Sequence, residues 1–163
     1  MNETGFSQTM AQLRPKMYRF ALALVRRHDE AEDAIQDVSA SLWRRWAELD
    51  AVRSVEAYAM SAVKNRCLDY LRSAPVKIGE AIQPFHAVHE QTPYASVEQA
   101  DMVAWVGKLV AALPVQQQML IRLRDVEGYE LSEVAEILDM SEGAVRTGLS
   151  RARQRIREKL LKQ

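Results

Sequence analysis

Apolar residues recur along this chain at the three- and four-residue spacing that lines up one face of a helix. Leu13, Met17, Phe20, Ala21 and Leu24 make such a face in a first helix over about 13–27. His28 and Asp29 break it, and Asp29 followed by Glu32 has the spacing of a capping box for the next helix. That helix spans about 30–48, with Ala31, Ile35, Val38, Leu42 and Trp46 as its buried stripe. A connector over 49–55 leads to a third helix over about 56–72, in which Tyr58, Ala59, Ala62, Val63, Cys67, Tyr70 and Leu71 face inward. Later in the chain the period predicts helices over 97–112, 115–126, 131–138 and 142–161. Pro114 suits a first helical position, Gly128 a left-handed cap and Ser141 an N-cap. Val145, Leu149, Ala152, Ile156 and Leu160 stripe the last helix.

Strand-like alternation of Val, Ile and Thr is absent, and the expected fold class is all-α. Residues 74–95 lack helical periodicity and carry Pro75, Pro84, Pro93 and Gly79. Prolines at that spacing favour extended chain. The reading is a flexible linker between two separately packed small helical domains, at 10–73 and 96–163.

Charge changes this picture. The chain holds 22 basic and 22 acidic side chains, so its formal net charge is zero, but their distribution is uneven. Residues 143–163 carry seven basic side chains and a single acid, whereas residues 101–142 carry eight acids and only Lys108, Arg122 and Arg124. The last helix therefore has almost no acids with which to pair its arginines along its own surface. One cysteine, Cys67, excludes an internal disulfide and fits a reducing compartment. The apolar run Met17 to Val25 is interrupted by Arg19 and has no cleavage site after it, and nothing reaches membrane-spanning length. A soluble, cytoplasmic protein is expected.

Two short helical patterns, a turn and a basic helix have the layout of a helix-turn-helix DNA reader. Small Ala135 permits close approach of the helices, and Ser141 frees the first turn of the last one. Arg146, Thr147, Ser150 and Arg151 would face the major groove, and Arg153, Arg155 and Arg157 the phosphates. The competing reading is a basic amphipathic helix docking on an acidic partner. In the first block, Asp29, Glu30, Glu32 and Asp33 are explained by complementation of a helix dipole. Gln36, Asp37 and Trp43 beside the apolar stripe suit a protein-contact surface instead. Lys64, Arg66 and Arg72 interleaved with Tyr58 and Tyr70 suit stacking on single-stranded bases, although tyrosines at helical spacing also serve as core. His86 and His89 fall in the linker with no second cysteine near Cys67, so no metal site is expected. No phosphate loop, nucleophile elbow or carboxylate pair points to an enzyme or to a cofactor.

The runs LRPKMYRFALALVRRHDEAEDAIQDVSASLWRRW, YAMSAVKNRCLDYLR, LPVQQQMLIRLRDVEGYELSEVAEIL and VRTGLSRARQRIREKL, taken in this order, resemble an extracytoplasmic-function (ECF) sigma factor of bacterial RNA polymerase. The resemblance implies a dissociable specificity subunit that binds core polymerase and directs promoter-specific initiation, usually restrained by an anti-sigma factor. It places Asp33, Gln36, Asp37, Leu42 and Trp43 on the clamp helices of the polymerase β′ subunit. It assigns reading and melting of the −10 element to Arg53, Ser54, Tyr58, Lys64, Asn65 and Arg66, with Asp69 and Arg72 as the closing D-x-x-R pattern. The second domain would read the −35 element through Arg146, Thr147, Ser150, Arg151, Arg153 and Arg155, and touch the β flap.

Three positions depart from the family pattern. Asp139 replaces the usual turn glycine, which implies some strain in a left-handed conformation. Glu130 replaces a serine cap, so that Ser132 would cap a slightly shortened helix. Gly148 replaces a basic residue, at a helical cost of about 1 kcal/mol and with the loss of a DNA contact. A stand-alone helix-turn-helix regulator would bind duplex without polymerase. A sigma-like decoy for an anti-sigma factor would not need Arg146 or Arg151.

Overall fold

In the computed structural model, residues 3–51, 55–73 and 97–162 are described, and every regular element among them is helical. The helices are α1 (Glu3–Val25), α2 (His28–Arg44), α3 (Val55–Ser73), α4 (Val97–Ala111), α5 (Val115–Ile121), α6 (Leu131–Leu138) and α7 (Glu142–Leu161). A 3-10 turn, Trp46–Ala51, follows α2, and a π-turn, Arg122–Val126, continues α5.

Helices α1, α2 and α3 pack on one another, each burying the stripe its spacing dictates. Met17, Phe20, Ile35, Leu42, Met60 and Val63 are essentially sealed from solvent. Each such side chain contributes on the order of 1.5–3 kcal/mol when fully buried. In the second half α7 lies across α4, α5 and α6, and Val145, Leu149 and Ala152 are buried there.

Helix α1 starts about ten residues earlier than the apolar period suggests, at Glu3, and runs through Pro15. An internal proline removes one ladder hydrogen bond. Pro15 sits on the exposed face, where water can satisfy the freed carbonyl, while Met10, Leu13 and Met17 hold the opposite face in the core. Phe6 anchors the extra turns, edge-on to Trp43 and Trp46 with ring centres 5.0 and 5.3 Å away.

The break between α1 and α2 falls at Arg26 and Arg27, with Arg26 left-handed at φ 59°. The expected Asp29–Glu32 capping box is not formed, because Asp29 already lies inside the first turn of α2. Its carboxylate pairs with Arg27 at 3.2 Å, and that hydrogen bond holds its pKa below the usual carboxylate value. The ring of His28 hydrogen-bonds the Tyr18 hydroxyl across the same junction.

Cys67 is fully buried, and burial pushes its thiol up to about 12, with Arg66 opposing. An unfolded chain releases this proton near 9.0 and the folded chain only near 12. Stability is therefore intact below pH 9 and falls as pH rises through that window, by at most about 1.4 kcal/mol per unit. Urea midpoints measured from pH 8 to 10 should decline from pH 9 in the wild type. The decline should flatten in Cys67→Ala, whatever its absolute stability.

The two halves touch. Helix α6 packs along α3, and α5 reaches α1, so that a continuous apolar cluster runs through both blocks. Each of the two helical domains packs on its own helices, and the two also meet among the described residues. The joining contacts are between residues far apart in sequence, and no periodicity reports those.

Candidate nucleic-acid interface

The helix-turn-helix is built from α5, α6 and α7. Helix α6 begins at Leu131, without the shortening that a Ser132 cap would bring. Glu133 reaches back to accept the Glu130 amide at 3.2 Å, which supplies an orphan donor with a partner. At the other end Asp139 is left-handed, with φ 54° and ψ 53°. The Met140 amide bonds the Ala135 carbonyl at 2.9 Å, closing the turn in the manner of a Schellman motif. The substitution of Asp for Gly thus leaves the turn geometry in place at a backbone cost of about 1 kcal/mol. Ser141 caps α7, its hydroxyl accepting the Ala144 amide at 3.1 Å.

Arg146, Thr147, Ser150, Arg151, Arg153 and Arg155 all lie along α7, Ser150 and its arginine neighbours on the exposed arc. They are not equally available. Arg153 is clamped by Asp125 of the π-turn in two hydrogen bonds of 2.6 and 3.1 Å, which raise its pKa. Arg146 has a loose pair with Glu142 at 3.5 Å. Among the described residues Arg151 and Arg155 have no ion-pair partner. Beside Thr147 and Arg151 a groove of about 510 Å³ opens toward Gln116 and Gln117 of α5, two polar residues that the sequence pattern did not single out. Their part in the site depends on where α5 meets α7, which no spacing encodes.

Gly148 lies where α7 meets α5, on the groove that Thr147 and Arg151 also line. A Cβ at this position would lie 2.4 Å from the Leu120 Cδ1 of α5, and Leu120 is buried. The glycine lets α7 press onto α5. With this packing any larger side chain there requires Leu120 to move.

On α2, Asp33, Gln36, Asp37 and Trp43 fall on one exposed stripe, with Trp43 48% exposed despite its size. Leu42 does not join them. It is 1% exposed and belongs to the core, as its place in the apolar stripe demands. On α3, Asn65 is exposed and Arg66 is half-buried, while Tyr58 packs partly buried against the core. Lys64 is only 8% exposed, which removes it from the surface set in this conformation. Arg66 donates to Asp37 at 2.8 Å, tying α3 to α2 and raising the Arg66 pKa. Arg45 donates to the Tyr58 hydroxyl at 2.5 Å and its guanidinium lies 5.5 Å from the ring centre. The Asp69–Arg72 pair is loose, at 3.8 Å. Arg53 and Ser54 lie outside the described residues.

A second groove, of about 550 Å³, runs between α4 and the end of α7, lined by Met102, Val106, Val126, Ile156 and Leu160 with Arg122 at its edge. Burial draws the Arg122 guanidinium down to about 10, against the pull of Glu127. Among the described residues no helix is long and apolar enough to cross a membrane, and no cluster of metal-ligating side chains occurs.

Residues 9–75 match the family model for sigma-70 region 2, and residues 104–156 the model for sigma-70 region 4. A relative named ECF RNA polymerase sigma factor ShbA, from Streptomyces griseus, is 30% identical over 132 residues, covering 77% of this chain and 69% of the relative. The chain belongs to the ECF sigma factors. ECF RNA polymerase sigma factor SigM of Mycobacterium tuberculosis is 29% identical over 152 residues, covering 93% of this chain and 75% of the relative. The sigma factor RpoE of Bartonella quintana, solved in complex with the anti-sigma factor NepR, superposes with a TM-score of 0.74 at 25% identity over 96% of both chains. CnrH, solved with the cytosolic domain of CnrY, shares the fold at a TM-score of 0.73 and 19% identity, over 98% of this chain and 89% of its own. As an ECF sigma factor the chain binds core RNA polymerase and directs it to promoters.

Proposed function

We propose that the ECF sigma factor divides its work between 10–73 and 96–163, joined through 74–95. The exposed stripe Asp33, Gln36, Asp37 and Trp43 docks on the β′ clamp helices. The end of α2 and the face of α3, with Arg53, Ser54, Tyr58, Asn65 and Arg66, read and open the −10 element. The contacts of Tyr58 with Arg45 and of Arg66 with Asp37 support a surface already ordered, so that little side-chain entropy is lost when bases arrive. Helix α7 reads the −35 element, and the apolar groove between α4 and α7 suits an apolar helix of the β flap. The protein acts as a transcription initiation factor in the cytoplasm and is not an enzyme. As in the RpoE complex with NepR, an anti-sigma factor binds it, and in doing so holds it inactive.

The observation that carries this reading is the capped, exposed face of α7, on which Arg151 and Arg155 have no acidic partner among the described residues while the helix is fixed by Val145, Leu149 and Gly148. A bidentate arginine–guanine contact is worth about 1–3 kcal/mol. Arg151→Ala should therefore lower initiation from a −35-dependent promoter by roughly 5–150-fold. Core binding should stay as in the wild type. Competition assays on promoter variants check this, and unchanged selectivity would remove Arg151 from the reading set.

A further inference from the structure

One arginine of α7 has its partner on another element. Arg153 donates to both carboxylate oxygens of Asp125, Nη2 to Oδ1 at 2.6 Å and Nε to Oδ2 at 3.1 Å. Two parallel bonds are the geometry in which a guanidinium and a carboxylate fit best. Asp125 belongs to the π-turn Arg122–Val126, in which the Glu127 amide bonds the Arg122 carbonyl five residues back at 2.9 Å. That ring is wider than an α-helical one, and here it carries Asp125 toward α7. By sequence, Arg146, Ser150 and Arg153 follow one another at i, i+4 and i+7, along a single edge of α7. In the folded chain Arg153 instead lines the apolar groove between α4 and α7, whereas Thr147 and Arg151 line the other groove, beside α5.

We propose that Asp125 withholds Arg153 from promoter DNA and so lowers the number of phosphates that α7 neutralises. The proposal deepens the −35 reading above and rests on it. To bind a phosphate, Arg153 must leave the carboxylate, and Asp125 is then left unpaired beside a polyanion. Exchange of one anion for another gains little, and the released carboxylate repels the phosphates. Arg151 and Arg155 face no such exchange, since neither has an acidic partner among the described residues. Arg146 is held only loosely, by Glu142 at 3.5 Å. The basic helix is therefore graded in what it offers. Phosphate contacts strengthen binding to every sequence alike, whereas base contacts discriminate. Withholding one phosphate contact keeps affinity for unrelated duplex down and leaves the base-reading side chains untouched.

The test uses holoenzyme reconstituted from core polymerase and the full chain. It is titrated against a labelled fragment of a promoter that it transcribes, over a range of salt. Each neutralised phosphate contributes about 0.9 to the slope of log affinity against log salt. Asp125→Asn keeps the side-chain shape, removes the charge and should steepen that slope by about 0.9. Raising salt from about 50 to about 200 mM should then weaken the variant about three- to four-fold more than the wild type. Asp125→Ser, shorter and uncharged, should behave in the same way. Adding Arg153→Ala to Asp125→Asn should return the slope to the wild-type value. The paired side chains are 46% and 38% exposed, so the unfolding midpoint should move by only a few degrees in these variants.

Arg151→Ala reports on the −35 reading itself. If it weakens promoter binding while Asp125→Asn leaves the slope unchanged, the proposal fails and that reading stands. If neither substitution has an effect, both fail. A flatter slope in Asp125→Asn also overturns the proposal, because the carboxylate would then be aiming Arg153 at a phosphate. So does a steeper slope that persists in the double variant, because loss of the negative charge alone would account for it.

Discussion

Gly148→Arg is expected to impair −35-dependent initiation rather than strengthen it. A basic residue in a recognition helix looks like an added phosphate contact when only the sequence is considered. In the folded protein the first atom of that side chain falls 2.4 Å from Leu120 Cδ1, and Leu120 is itself buried. Either α7 lifts from α5 or Leu120 is forced from its rotamer. Overpacking of this kind costs about 1–3 kcal/mol, and a displaced helix also misaligns Arg146 and Arg151. Thermal unfolding should show a lowered midpoint, and transcription from a −35-dependent promoter should fall by more than about ten-fold. Gly148→Ala separates the causes. It adds no charge but meets the same obstacle, and it should lose stability in the same direction. If Gly148→Arg proved as stable as wild type and more active, this position would face DNA after all.

Trp43→Ala should weaken binding to core polymerase by at least about 30-fold, since exposed tryptophans at the centre of a contact surface commonly carry about 2 kcal/mol or more of binding energy. Trp43 is also held in place by the edge of Phe6, which lies 5.0 Å away and packs against Trp46 as well. Phe6→Ala should therefore weaken core binding by a smaller factor, through loss of orientation. Neither substitution removes a sealed core residue, since Trp43 is half exposed and Phe6 only partly buried. Affinity measured with labelled core should fall while the unfolding midpoint moves by only a few degrees. Affinity unchanged within error would take Trp43 out of the polymerase-facing stripe.

These two positions show what a one-dimensional pattern carries. Helix α7, its Ser141 cap and its Val145–Leu149–Ala152 stripe were legible because each depends on residues within one or two turns. The same holds for the exposed stripe of α2. Leu42 could be assigned to two roles from sequence, and its burial settles it as core, because a residue on the apolar stripe cannot also face a partner without repacking. The close approach of Gly148 to Leu120 was not legible, because Leu120 lies on another helix. Phe6 escaped notice because it stands in a polar stretch upstream of a proline, and its partners are on α2 and just beyond it. The Arg19–Glu127 and Glu56–Tyr129 contacts span 108 and 73 residues, and nothing local marks either residue of a pair. Local chemistry set the elements and the reading face, and long-range complementarity decided how the halves meet.

The most direct measurement is run-off transcription with purified core RNA polymerase and a library of genomic fragments. With this chain added, discrete transcripts should start at fixed distances from paired upstream elements. Arg151→Ala and Trp43→Ala should each suppress them for different reasons, one in promoter choice and one in core binding. Absence of any chain-dependent transcript, together with no detectable association with core at micromolar concentration, would contradict the account.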